Sequence, residues 1–419
     1  MKQVYTTFHN NPYFITLIYL LKIMFKLKNV FLTLVAFAFL AACNNQKQED
    51  NPTPEADVNL SKGQEIIPGA YIITYNTSNN RINFRSQDYD QRSNTVLEYT
   101  KNFVGKYGVS PDRITQTYNT AIEGFAANLS DKEVQALKAD PRIATVEPDT
   151  KITLDFEAGS STSNLREFTT YGIARVGSGN GAGKLAWVID TGVDLDHGDL
   201  NVNRSLSRSF IAGAANGDDD NGHGTHCAGT IAAKRTNNAG LFGVAYDATV
   251  VGVKVFNSRG GGSASITIRG IDYVTANASA GQVANMSFGF PPTTAIDNAV
   301  RRLADKGVLV SIAAGNSRRN VSTTSPGRLN YRNVVSVSAM DVNDRFASFS
   351  NFGSGVDYCA PGVDVWSTWF GGGFNRISGT SMAAPHVAGL MLLRGSTSLR
   401  TNGRVIGDPD GNADPIAVR

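Results

Sequence analysis

The sequence predicts an α/β protein with a doubly wound, mainly parallel sheet, preceded by a small α+β unit. Three observations carry that expectation. Leu185–Ile189, Val250–Phe256, Gln282–Ser287, Val308–Ala313 and Val334–Ala339 are near-continuous apolar runs, as strands buried on both faces must be. His223–Ala233, Ser265–Asn277, Ala295–Asp305 and Ser381–Leu393 have helical period and alternate with those runs. Upstream, shorter segments follow the order βαββαβ. The 419 residues leave room for two folded units and a leader, with an apolar fraction ordinary for a globular chain. A net charge of +3 gives no argument for a nucleic-acid partner, and three cysteines are too few for a disulfide framework.

Taken in order, the chain opens on a targeting segment, residues 1–43. Lys22, Lys26 and Lys28 form a basic region before Val30–Leu40, an apolar run too short to span a bilayer comfortably. The start is Met1 or Met24. The run ends Leu40-Ala41-Ala42-Cys43, which resembles a bacterial lipobox; an ordinary signal cleaved nearby is the alternative. The resemblance implies export, with Cys43 lipidated and the protein tethered to a membrane. Residues 44–65 are polar, with little to bury, and read as a linker.

Residues 66–150 form the first folded unit. Ala70–Tyr75 alternates as a strand, Val96–Tyr107 has helical spacing, and Arg113–Asn119 and Gly124–Leu129 read as strands. Ser130 and Glu133 make a capping box that opens a helix over Asp131–Ala139, and Ile143–Glu147 returns as a strand. The βαββαβ order is that of a ferredoxin-like unit. It holds no catalytic constellation. Residues 151–169, with the Gly-Ser stretch Gly159–Asn164, read as a linker, residues 170–398 as the main domain and residues 399–419 as a polar tail to which no role is assigned.

In the main domain Ser381 opens a helix, where free N–H groups and the helix dipole favour developing negative charge. A serine there is ordinarily only a cap, so it needs a base and an orienting acid. Leu185–Ile189 ends in Asp190-Thr191-Gly192, a carboxylate at a strand's carboxyl edge, and Asn221-Gly222-His223 puts an imidazole on a helix's first turn. A neutral imidazole can take the serine proton while a buried carboxylate fixes its tautomer. The other histidines fit less well. His9 is in the leader, His197 lies among Asp194, Asp196 and Asp199 in what reads as a solvated turn, and His386 shares a helix with Ser381 but points elsewhere. His226 lacks the His-Glu-x-x-His spacing of helical zinc sites. Asn316, after Ala313-Ala314-Gly315 at a strand end, is either a turn residue or an amide donor to an oxyanion.

Asp190-Thr191-Gly192, His223-Gly224-Thr225-His226-Cys227-Ala228-Gly229, Ala314-Gly315-Asn316 and Gly379-Thr380-Ser381-Met382-Ala383-Ala384-Pro385 are together similar to the subtilisin-like serine proteases, nearest the proteinase K branch. The likeness covers about residues 171–394, and the order Asp190, His223, Ser381 is that of subtilisin. Ala121–Ala127 and Ile143–Asp149 resemble the inhibitory propeptide of the same proteases, which implies a self-processing zymogen whose first domain inhibits the second. The resemblance implies that Ser287, Phe288, Gly289, Ala313, Ala314 and Gly315 line the pocket for the residue before the cleaved bond. Their lack of charge leads to an expected apolar or aromatic preference there. It also implies that Gly260, Gly261 and Gly262 pair with extended substrate. A calcium ion is implied at the Asp357 carboxylate with the backbone of Arg332 and Val334, and Asp218-Asp219-Asp220 is either a second such site or a solvated loop. Cys227 reads as a packed thiol with no argument to pair it with Cys359. The expected protein is a monomeric exported serine endopeptidase acting on proteins or peptides. The alternatives are a catalytically silent peptide-binding module and a serine esterase, the latter disfavoured because no Gly-x-Ser-x-Gly surrounds Ser381.

Overall fold

The computed structural model describes residues 60, 63–79, 82, 88–162, 167–235 and 240–419. The leader, Cys43 and most of the polar linker lie outside the described residues, as do residues 163–166 of the expected processing stretch. No helix among the described residues is long and apolar enough to cross a membrane.

The first unit runs β1 (Gln64–Tyr75), α1 (Tyr89–Gly105), β2 (Ile114–Asn119), β3 (Glu123–Asn128), α2 (Asp131–Lys138) and β4 (Ile143–Thr153). Helix α1 begins seven residues before the sequence expectation, because Asp88 caps it by accepting from Gln91 N at 2.8 Å. The Ser130–Glu133 capping box forms, with Ser130 N donating to Glu133 at 2.7 Å. Strands pair in the antiparallel order β4-β1-β3-β2. One face of this sheet packs on α1 and α2 around Ile73, Phe103, Phe125 and Leu137. Ile72, Tyr118, Ala126 and Ile152 on the other face join the core of the next domain.

β5 (Glu157–Thr162) follows, so the expected linker 151–169 is partly strand. Then come α3 (Tyr171–Val176), β6 (Leu185–Asp190), α4 (His223–Ala232), β7 (Thr249–Lys254), β8 (Gly261–Ser263), α5 (Ala264–Asn277), β9 (Val283–Met286), α6 (Thr294–Asp305), β10 (Leu309–Ala313), β11 (Val334–Met340) and β12 (Tyr358–Pro361). β13 (Val365–Trp369) and β14 (Gly373–Ser378) form a hairpin before α7 (Thr380–Arg394), and β15 (Arg400–Arg404) and β16 (Pro415–Val418) end the chain.

The large sheet runs β15-β16-β12-β11-β10-β9-β6-β7 and continues into two short bridging segments beyond β7. All its strand pairs are parallel except β15–β16. β6 lies between β7 and β9, so the chain winds outward in both directions from it, and the carboxyl end of β6 is a topological switch point where sites form. Residues 399–419 are therefore part of the fold rather than a tail. Ile416 and Ala417 are fully buried, and Cys359 pairs with Ile416 across the sheet.

Candidate functional site

Asp190 is the last residue of β6 and is fully buried. Its Oδ1 accepts from Thr191 N at 2.7 Å and lies 2.8 Å from His223 Nδ1. Beneath it, Lys254 at the end of β7 donates from Nζ to Thr191 O and to Asp220, both at 2.6 Å, which fixes the Asp190-Thr191 corner. His223 opens α4 after Gly222, whose φ of 113° favours glycine and where a Cβ would meet the Trp369 ring at 2.2 Å. Gly224 allows equally close approach, since a Cβ there would lie 2.0 Å from Gly192 O. Asp219 anchors this helix start. Its carboxylate accepts from Asn221 N, Gly222 N, Thr225 N and Thr225 Oγ1 at 2.6–3.0 Å.

Ser381 is the second residue of α7 and sits at the base of the cleft. Its Oγ donates to Ser287 O at 3.0 Å, while His223 Nε2 is buried without a partner. Asn316 follows β10. Its Oδ1 accepts from Thr380 N at 2.9 Å and Thr380 Oγ1 at 2.7 Å, which turns Nδ2 toward the cleft. There Nδ2 donates to the carbonyl oxygen of Asp155 at 2.7 Å.

Asp155 belongs to the segment between the two domains, and that segment fills the cleft. β4 pairs antiparallel with β8, with Thr153 opposite Gly261, Ile152 opposite Gly262 and Lys151 opposite Ser263, and Leu154 N donates to Gly260 O at 3.0 Å. Phe156 lies against the His223 imidazole, ring centroids 5.2 Å apart. Ser287, Phe288, Gly289, Ala313 and Gly315 line the pocket beside Asp155, together with Thr324 and Asn351. The Phe288 ring packs between Phe256 and Phe290. Ala314 does not line the pocket: it is buried beneath it with Val321 and Val356.

Several sequence expectations need correction. His197 is not in a solvated turn. It is buried, with Nε2 2.9 Å from Gly373 O and Nδ1 accepting from Asp199 N, and burial lowers its basicity. In the Asp218–Asp220 run Asp218 and Asp220 are exposed, as a solvated loop requires, and only Asp219 is buried. Asp219 is occupied as described, Asp220 pairs with Lys254, and Asp218 accepts from Leu195 N. His226 and His386 are buried, held by the Val365 and Met382 carbonyls, and desolvation pushes them down to about 3 and about 4. Thr324 and Asn351 escaped the sequence reading, and so did the roles of Asp219 in anchoring the α4 start and of Thr380 in orienting Asn316. Only Thr380 carried a usable signal, its place next to Ser381.

Among the described residues, one group of three metal-ligand types lies close together: Asp190, His223 and Cys227. Burial, with the Asp190 charge adding to it, pushes the Cys227 thiol well above its ordinary value and so holds it protonated. Cys227 and Cys359 are both free and buried.

Comparison with known proteins agrees with this geometry. Residues 182–396 match the model of the subtilase family, and residues 70–155 match that of the peptidase inhibitor I9 family. Alkaline serine exoprotease A of Vibrio alginolyticus is 38% identical over 359 residues, which are 83% of this chain and 64% of that protein. The chain thus spans just under two thirds of that relative. Proteinase R of Parengyodontium album is 38% identical over 282 residues, 65% of this chain and 70% of that protein. A solved structure of a cold adapted subtilisin-like serine proteinase superposes with a TM-score of 0.55 at 36% identity, covering 60% of this chain and 98% of that one.

Proposed function

The chain belongs to the subtilase family, with an inhibitor-type domain ahead of its peptidase domain, and from that premise we propose that it is a serine endopeptidase that cuts its own chain between Asp155 and Phe156. One observation carries this reading: a peptide bond of the chain itself lies across the site, its carbonyl on Asn316 and its following side chain on His223.

The reaction follows from the side chains present. Ser381 Oγ turns from Ser287 O to His223 Nε2, gives up its proton there and attacks the Asp155 carbonyl carbon. Asp190 holds the Nδ1–H tautomer and stabilises the imidazolium. The oxyanion is met by Asn316 Nδ2 and by the N–H of Ser381 at the start of α7. Collapse expels the Phe156 amine, which takes its proton from His223, and leaves Asp155 as an ester on Ser381. Water, activated by the same imidazole, then releases the Asp155 carboxylate.

The inhibitory role of the first domain has its own support. Carboxylates from β4 cap helices of the peptidase domain: Glu147 accepts from Thr294 N and Ala295 N at 2.8 and 2.9 Å, and Asp149 accepts from Ser265 N at 3.1 Å. The test is the intact mass, over time, of protein beginning at Asn44. Wild type acquires an N-terminus at Phe156 while Ser381→Ala stays whole. If both stay whole and wild type degrades no protein substrate, the peptide-binding alternative replaces this reading.

Specificity, calcium and location complete the proposal. The uncharged pocket lining favours an apolar or aromatic residue before the cleaved bond. A calcium ion would be held by the Asp357 carboxylate with the Arg332 and Val334 carbonyls, where it would lend structural charge balance and take no part in the chemistry. In support, burial raises the Asp357 carboxyl, and it makes no ion pair among the described residues, only a bond from Ser336 N. Export with lipidation at Cys43 rests on the basic and apolar leader and on Leu40-Ala41-Ala42-Cys43; incorporation of labelled palmitate that Cys43→Ala abolishes is its test.

A further inference from the structure

Past the bond between 155 and 156 the chain stays on the enzyme. β5 lies antiparallel on β14, with Glu157 opposite Ser378, Ala158 opposite Ile377, Ser161 opposite Asn375 and Thr162 opposite Phe374. The other edge of β14 is taken by β13, so the hairpin offers one open edge and β5 covers it. Uncovered, such an edge is a template for any extended chain.

The hairpin is tied to the catalytic helix. Ser367 Oγ donates to His226 O and Thr368 Oγ1 to Thr225 O, each at 2.7 Å, and both acceptors lie on α4, which begins with His223. At the hairpin turn, Gly372 N donates to Asp194 Oδ2 at 3.0 Å, and Gly373 O meets His197 Nε2 at 2.9 Å. The edge therefore holds its place relative to the reacting atoms without help from the first domain.

We propose that the β14 edge, Gly373–Ser378, is a binding strand for the amine-side half of extended peptide substrates, reaching the second to the seventh residue after the cleaved bond. The ligand it takes is a polypeptide segment with unsubstituted backbone amides, paired by register rather than by charge. One position carries a side-chain requirement. Between Ala158 and Ser161 the β5 strand holds an extra residue against β14, and a Cβ on Gly159 would lie 1.9 Å from Arg376 O. Glycine at the fourth residue after the bond lets the backbones close.

This inference rests on the endopeptidase reading above, and the experiment separates the two. The processed wild-type enzyme, with its own residues 156–162 trimmed away so that β14 is bare, is given peptides that begin at Lys151 and carry Asp155→Phe, ending either after Glu157 or after Thr162. The longer peptide is expected to show kcat/KM at least about tenfold higher, as two or more additional backbone bonds imply. Gly159→Ala in the long peptide, or N-methylation at one of the backbone amides from 158 to 162, removes most of that gain. Equal kcat/KM for short and long peptides overturns the β14 assignment while leaving the protease reading intact. Failure to cleave either peptide removes the premise, and the assignment with it.

Discussion

The carbonyl oxygen of Asp155 and the Nδ2 of Asn316 stand 2.7 Å apart, and Thr380 holds Asn316 in that pose through two bonds to its Oδ1. The amide is thus fixed before any charge develops. Asn316→Ala is expected to lower kcat by about a hundred- to a thousandfold with KM little changed, a size taken over from the equivalent donor in subtilisin. Thr380→Val removes only one of the two bonds to Oδ1 and is expected to cost about tenfold. Initial rates on one peptide substrate check both. Loss of KM rather than kcat in Asn316→Ala would mean that the amide binds the ground state and does not favour the transition state.

Asp155 itself remains exposed at the mouth of a pocket lined without charge by Ser287–Gly289, Ala313, Gly315 and Asn351. An aromatic side chain there would bury apolar surface that Asp155 leaves open. Asp155→Phe is expected to speed the first cut by at least about tenfold, within the 1.5–3 kcal/mol that full burial of such a side chain supplies. Time courses of the intact chain by mass spectrometry check it. A slower cut would show that the pocket selects against large residues.

How much of this was legible depended on how locally each feature is encoded. Asp190, His223 and Asn316 sit at ends of elements whose apolar runs or helical period are visible in a short window, and glycines such as Gly222 and Gly224 mark the close approaches around them. His197 could not be read in the same way, because its partner Gly373 is 176 residues away and its own neighbours are acidic. The C-terminal strands were hidden for a related reason. Arg400–Arg404 is exposed and polar, and only the scattered apolar residues Val405, Ile416 and Ala417 are buried where the segment joins the sheet. The seating of Asp155 and Phe156 depends on register between β4 and β8, which no single window of sequence contains.

The docking of the first domain depends on charges at helix starts. Glu147 faces the first N–H groups of α6 and Asp149 those of α5, where a carboxylate gains from both hydrogen bonds and the helix dipole. Glu147→Gln with Asp149→Asn is expected to raise the inhibition constant of a separately added residue 60–155 segment by about ten- to a hundredfold. Progress curves with mature enzyme give the number. An unchanged constant would place the affinity in the apolar contacts of Ile72, Tyr118 and Ile152 instead.

If calcium sits at Asp357, saturating calcium raises the unfolding midpoint by a few degrees, since a ligand at a hundred times its Kd adds about 2.7 kcal/mol. Asp357→Asn should abolish the calcium dependence while leaving peptide cleavage at low temperature near wild type. A midpoint indifferent to calcium and chelator in the wild type would remove the site.

Two of the four buried histidines among the described residues, His226 and His386, weaken the fold at acid pH. His226 and His386 are held neutral by desolvation, at about 3 and about 4, against an ordinary value near 6.5 in the unfolded chain. Below 6.5 the unfolded state binds protons that the folded state refuses at these two sites, so their contribution to stability is full above that pH and is lost as pH falls toward 4, where His386 begins to protonate in place. Each group can contribute up to about 1.4 kcal/mol per pH unit across that window. Unfolding at pH 5 should therefore take up close to two protons from these sites, measurable by calorimetry in buffers of different ionisation enthalpy. His386→Gln should reduce that uptake by about one proton whatever its effect on the midpoint itself. An uptake unchanged by the substitution would mean that His386 is already charged in the folded protein, and that Met382 O accepts from an imidazolium.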